Sequence, residues 1–269
     1  MLHYDFMQNA FAAAGMVAVV AGVVGYFLVL RGQAFAGHAL SHVGFAGATA
    51  GLLIGLAPLW GLVGLSVVAG SGMGFLGERI AGRDVAIGVV LALALAVGLL
   101  CLHFYTGYAS QATALLFGNV LAVDVPTLWA LAGFAVVTLA GMALIARPLL
   151  FASLHPDLAE AKGVPVRLVS VLFLGLVGLA VAGCSQVVGV LLVFALMVGP
   201  AAAAQRLSAD VSTGVGFSAA LALAEAWGGI ALAYETDWPG SFWITALSAG
   251  VYAAAIGASM ARRRLAQTI

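Results

Sequence analysis

Charge is scarce in this sequence. Asp, Glu, Lys and Arg make up 7% of its 269 residues, against about 25% in an average soluble domain, which excludes an ordinary water-facing surface. The ten basic and ten acidic residues cancel to a net charge of zero. Without a basic stripe, no nucleic acid partner is expected. Cysteine is nearly absent as well. Cys101 and Cys184 each sit in an apolar run with no CxxC spacing and no neighbouring His cluster, so they read as packing residues and not as a disulfide or a metal pair. No P-loop and no HExxH occur. Gly72, Gly74 and Gly77 spell GxGxxG, but no strand precedes them, and the motif is not read as a dinucleotide site. Met1 to Asn9 carry Asp5 and no Lys or Arg ahead of an apolar stretch longer than a signal-peptide core, so no cleaved targeting segment is expected.

What is present is apolar: 64% of the residues are hydrophobic. A spanning helix needs about 20 such residues to cross about 30 Å of hydrocarbon, so the chain has room for about eight to ten crossings and no soluble catalytic domain. Membrane lipid is its solvent. All ten basic residues, Arg31, Arg79, Arg83, Arg147, Lys162, Arg167, Arg206, Arg262, Arg263 and Arg264, fall at seams between apolar stretches. One threading places them all on the cytoplasmic side, as the positive-inside rule asks.

That threading starts outside. Helix one runs from about Ala10 to Leu30, and helix two returns from about Ala34 to Leu56, leaving near Pro58 and Trp60. Helix three comes in to Glu78, Arg79, Arg83 and Asp84, and helix four goes out from Ala86 to about Tyr105. Thr106 to Pro126 lies outside or partly re-enters, because Ala112 to Val123 is too short to span. Helix five comes in to Arg147, and an inner loop extends to Arg167. Helix six leaves toward Cys184, helix seven returns from about Val187 to Ala204, helix eight runs out to Tyr234, and helix nine ends at Arg262. The fold class is therefore all-α, a polytopic transmembrane bundle of about nine spans, with the N-terminus outside and the C-terminus cytoplasmic. Residues 1–269 form a single domain. Glycines such as Gly51, Gly55, Gly70, Gly72 and Gly74 mark close helix packing in lipid.

Ionisable groups inside a bilayer are costly and therefore candidates for function. His38 and His42 stand at i and i+4, one turn apart on one helical face, and two imidazoles at that spacing are able to ligate one metal ion. The alternative is that each hydrogen-bonds a carbonyl of a neighbouring helix. Glu225, in mid-helix eight, either completes the same pathway or is a protonated or hydrogen-bonded packing residue. His103 reads as interfacial, and His3 and His155 lie outside the bilayer. Between 153 and 165, Pro156 opens a short helix, Asp157 and Glu160 come early, Lys162 late, then Gly163 and Pro165. This capped cytoplasmic piece is either a connector or a knob for a soluble partner.

Several stretches in order carry a resemblance: Arg31 with Gly37-His38-Ala39-Leu40-Ser41-His42, Asp84-Val85-Ala86-Ile87-Gly88 and Leu116-Phe117-Gly118-Asn119-Val120-Leu121. Pro156-Asp157-Leu158-Ala159 with Gly163-Val164, and Val188-Gly189-Val190-Leu191-Leu192-Val193 leading to Pro200-Ala201-Ala202-Ala203-Ala204, complete it. Over nearly its full length the chain resembles the permeases of the zinc/manganese/iron branch of ABC importers. The resemblance implies a multi-pass protein of the bacterial cell membrane, inner or plasma. Its partners would be a second copy of itself, cytoplasmic ABC ATPase subunits and an extracytoplasmic metal-binding protein. It further implies that Pro156, Asp157, Leu158, Glu160 and Gly163 belong to the coupling helix, and that His38 and His42 face the pathway. ATP hydrolysis falls to the partner, so the chain is not an enzyme, and no cofactor is held permanently. The transported divalent metal is the only metal expected. The family often has Asp where His38 stands, and imidazole in place of carboxylate favours zinc over manganese, with manganese or iron(II) the alternative. Outside the family, a gradient-driven carrier would use Glu225 and the histidines as a proton relay. An intramembrane metalloenzyme would need a further ligand and a base.

Overall fold

The computed structural model describes residues 4–76, 83–105, 115–118 and 120–267. His3, Gly77, Glu78, Arg79, Asn119 and the stretch 106–114 lie outside them, as do the side chains of Arg83, Arg263 and Arg264. The order is α1 (Asp5–Leu30), α2 (Ala34–Leu53), α3 (Pro58–Leu76), α4 (Arg83–Phe104), a 3-10 turn (Val120–Ala122) and α5 (Val125–Leu154). Then follow α6 (Pro156–Ala161), α7 (Val166–Val188), α8 (Val193–Leu207), α9 (Val211–Thr236) and α10 (Gly240–Gln267). No strand occurs among the described residues. In lipid a backbone satisfies its own hydrogen bonds only as a helix or a closed barrel, and this chain takes the first route.

Seven of these helices, α1, α3, α4, α5, α7, α9 and α10, are long and apolar enough to cross a membrane. The chain is thus a multi-pass helical membrane protein, with seven such helices among the described residues against the nine expected; α2 and α8 fall short of that standard. α8 is only 15 residues long. α2 has 20 residues but spends many on Gly, Ala, His, Ser and Thr. Both pack within the bundle, α2 against α3, α4 and α7, and α8 against α1, α9 and α10. Segments that meet protein do not need a lipid-soluble surface. Burial follows the same logic: 72% of the most apolar window of α1 is inside, but only 11% of that of α4. α1 and α7 form the centre, and α4, α5 and α10 the rim.

The turns are set by glycine. At the end of α1, Gly32 has φ +64, and its N–H bonds Val29 O while Gln33 N–H reaches Leu28 O, closing a Schellman motif. Gly55 (φ +76) does the same after α2 and Gly163 (φ +79) after α6. Several boundaries differ from the sequence expectation: α1 begins at Asp5 and not near Ala10, and α7 continues past Cys184 to Val188, so that Val187 belongs to α7 and α8 begins only at Val193. α2 stops at Leu53 and not near Leu56, because Gly55 takes the left-handed cap. α5 continues through Pro148 to Leu154, so the inner loop is shorter than Arg147 to Arg167. Pro148 removes one helical N–H but leaves the last turns intact, with Ser153 Oγ bonding Leu149 O.

Between α7 and α8 the backbone leaves the helix at Gly189 (φ +90) and turns through Leu192. Val190 N–H and Leu191 N–H donate to Leu115 O and Leu116 O, each at 3.2 Å. Gly118 and Gly189 meet backbone to backbone, with no room for a Cβ on either. The segment from 115 therefore does not span; it packs beside the α7–α8 break.

Candidate functional site

α2 brings His38 and His42 together as expected. Their rings meet edge to face, with centroids 4.8 Å apart and planes at 87°. His42 is 6% exposed and His38 half-buried. The Nδ1 atoms of both are buried and have no hydrogen-bond partner among the described residues. The reading in which each histidine glues α2 to a carbonyl through Nδ1 therefore does not describe this arrangement. Ser41 is occupied elsewhere: its hydroxyl donates to His38 O at 2.7 Å.

Aromatic rings wall the pair. Phe194, at the start of α8, meets the His38 ring edge-on at 5.2 Å, and Phe35 lies 6.4 Å away on the other side. Both phenylalanines are more than a third exposed, so the imidazole pair lies near the edge of the contact between α2 and α8. No group of three or more His, Cys, Asp or Glu able to hold a metal occurs among the described residues. One chain offers two nitrogen ligands.

Close packing places this turn. A Cβ on Gly44 would stand 2.6 Å from Ser66 Oγ of α3, and Gly47 and Gly61 press on each other's carbonyls where α2 crosses α3. On the other flank a Cβ on Gly98 of α4 would stand 2.7 Å from the fully buried Phe45 ring. Glycine at these crossings lets the helices approach to backbone contact, the main attraction available where lipid is as apolar as the side chains.

The other expected residues are dispersed. Glu225 is 2% exposed in α9, and its carboxylate oxygens find no well-formed hydrogen bond among the described residues. It stands beside Ser248, whose hydroxyl is committed to Ala195 O at 2.9 Å. α9 packs mainly on α1, α8 and α10. His103 is exposed at the end of α4. His155 precedes α6 as its exposed N-cap. Pro156, Asp157, Leu158, Glu160 and Gly163 all lie on the exposed surface of α6 and its cap, while Ala159 is fully buried beneath them. Cys101 and Cys184 are free, and Cys184 packs in the core, its thiol 3.8 Å from Val17 O.

Sequence reasoning missed three contacts. Arg31 donates from Nη2 to Ser170 Oγ at 2.7 Å and lies over the Phe173 ring at 5.3 Å, tying α1 to α7. Arg167 donates to Phe75 O at 3.0 Å with its guanidinium over the Phe75 ring, tying α7 to α3. Ser66 donates to Leu40 O at 3.3 Å. For two of them, at Ser170 and Ser66, the available signal was a hydroxyl inside an apolar run, which must find a partner in a bilayer.

Comparison with known proteins identifies the family. A manganese transport system membrane protein, MntC of Halalkalibacterium halodurans, is 34% identical over 209 residues, 77% of this chain and 72% of that one. The manganese import system permease protein ScaB of Streptococcus parasanguinis is 34% identical over 205 residues, 75% of this chain and 72% of its own length. A Haemophilus influenzae membrane protein named for iron transport is 28% identical over 98% of this chain and 97% of that one. The solved structure of PsaBC from Streptococcus pneumoniae in complex with Fab superposes with a TM-score of 0.85 at 26% identity, covering 94% of this chain and 92% of that one. Residues 3–259 match the family described as the ABC 3 transport family, and with the bundle and the sequence resemblance in agreement, the chain belongs to that family.

Proposed function

We propose that this chain is the membrane permease of an ABC importer for a divalent transition metal, manganese before zinc, with His38 and His42 as its transient ligands. The observation that carries the reading is the edge-to-face pair with two buried, unpartnered Nδ1 atoms. The preference for zinc rested on imidazole being softer than the carboxylate that the family often has at this position. Relatives named for manganese and iron transport weigh against it. The two considerations reconcile through affinity: nitrogen ligands bind manganese(II) least tightly of the first-row divalent ions, and a transport site must release what it binds.

Two imidazoles are too few for a held ion, so a second copy of the chain supplies the remaining ligands across a two-fold axis. The nine long helices run from an outside N-terminus to a cytoplasmic C-terminus. α6 then faces the cytoplasm as the coupling helix, its exposed Pro156, Asp157, Leu158, Glu160 and Gly163 seated on separate ATPase subunits. An extracytoplasmic metal-binding protein delivers the ion. ATP-driven closure of the ATPases displaces α6 and reshapes the contact between α2 and α8.

The test is uptake of manganese against zinc in proteoliposomes holding the permease, its ATPase and a loaded binding protein. ATP-dependent manganese flux is expected in the parent, to be lost in His38→Ala/His42→Ala while ATPase assembly survives. His38→Asp is expected to raise manganese flux relative to zinc. Equal flux in parent and double variant sinks the ligand assignment, and flux without the ATPase makes the chain a gradient-driven carrier.

A further inference from the structure

Ser66 is fully buried in α3 and is held from two sides. Its hydroxyl donates to Leu40 O at 3.3 Å, and Leu40 lies between His38 and His42 on α2. Its own carbonyl is pressed by Gly178 of α7, where a Cβ would collide with it. One serine therefore touches the metal-ligand turn through its side chain and α7 through its backbone.

α3 and α7 are joined closely enough to move as one body. Gly70 meets Leu174 O backbone to backbone, and a Cβ on Gly74 would stand 2.6 Å from Ser170 O. Arg167 adds its bond from α7 to Phe75 O. α7 in turn follows α6 with almost no slack. Val164 N–H returns to Ala159 O at 2.9 Å, and Val166 N–H to Val164 O at 2.8 Å. A displacement of α6 is thus carried into α7, and with it into α3.

We propose that Ser66 is the positioning residue that carries this displacement to the imidazoles. Ser66 Oγ fixes the Leu40 carbonyl, and hence the rotation of the turn bearing His38 and His42, to the α3–α7 body. When α6 is pushed, the turn swings with that body and changes the ligand geometry. The inference rests on the metal-ligand reading above.

The test uses the assembled transporter in proteoliposomes and measures metal ions moved per ATP hydrolysed. Ser66→Ala is expected to lower transport turnover about 5-fold, the rate equivalent of one neutral hydrogen bond. ATP hydrolysis and the metal KM should stay near the parent values. Gly178→Ala, which leaves the hydroxyl in place but forces α7 off the Ser66 carbonyl, is expected to uncouple in the same way. The double variant should be no worse than the more severe single one, because both cut the same link. Ser66→Thr restores the hydroxyl and is expected to recover coupling. An unchanged ion-to-ATP ratio in Ser66→Ala overturns the proposal. So does a loss of transport matched by an equal loss of assembled protein or of thermal stability. If His38→Ala/His42→Ala transports normally in the same assay, the ligand reading fails and this inference falls with it. If the histidine variant is dead and Ser66→Ala is fully coupled, only this inference fails.

Discussion

A single methyl group at Gly25 is expected to destabilise the bundle more than any charge reversal on its surface. Gly25 lies where α1 crosses α8. A Cβ there would stand 3.2 Å from Met197 Cα and 2.8 Å from Met197 carbonyl carbon, with the carbonyl oxygen closer still. All three are backbone atoms, so no side chain can rotate away, and the two helices must separate. Their separation also pulls on Gln205 Nε2, which donates to Tyr26 O at 2.9 Å across the same crossing. Overpacking of this kind costs about 1–3 kcal/mol, and at about 2–4 °C per kcal/mol a mid-range cost lowers Tm by roughly 4–8 °C. Gly133 is the control. It lies exposed on α5 with nothing within 4 Å of a Cβ, so Gly133→Ala is expected to leave Tm unchanged or raise it through helix propensity. The assay is thermal unfolding of each purified variant in one detergent, followed by the monodisperse fraction on size exclusion. A Gly25→Ala protein as stable as Gly133→Ala refutes the claim that backbone contact holds α1 to α8. Because α8 carries Phe194 against His38, the same variant should also slow metal flux.

Two further outcomes follow from surface features. Leu158 is 50% exposed on α6, so Leu158→Asp should fold normally yet weaken co-purification of the ATPase by at least about tenfold, as expected for a central interface residue; undiminished co-purification would place the docking surface elsewhere. Asp210 caps α9, accepting from Thr213 N at 2.9 Å and from the Ser212 and Thr213 hydroxyls, and these bonds hold its carboxyl down at about 2. The folded value lies below the unfolded one of about 3.9. Its contribution to stability is therefore present above about pH 4 and is lost as pH falls toward 2. Asp210→Ala should lower Tm at pH 7, and the gap to the parent should close across that acid window in a pH series of melts.

Local patterns in the sequence were enough to locate α6, because Pro156, Lys162 and Gly163 specify a start and a stop about two turns apart. They were enough for the His38–His42 pair for the same reason, since i and i+4 share a face whatever surrounds them. The membrane class followed from apolar length alone. The α7–α8 break was harder to place: Gly189 looked like any other glycine in an apolar run until Gly118 was found against it. The links between Arg31 and Ser170 and between Ser66 and Leu40 join residues far apart in sequence, so no periodicity announces them. α2 is less apolar than a lipid-facing span because it packs on protein, and α8 is apolar but only 15 residues long.

The α7–α8 break also constrains how the molecule is assembled. Val190 and Leu191 offer their N–H groups to carbonyls at Leu115 and Leu116, which are synthesised long before them. Until α7 and α8 arrive, those carbonyls wait without these donors, so the 115–118 segment has to remain near water and not in hydrocarbon. Release of spans into lipid one at a time cannot complete this part of the fold. The first six helices and the last four are therefore not independent halves: a chain cut between α6 and α7 leaves each piece with backbone groups that must stay hydrated until the two meet.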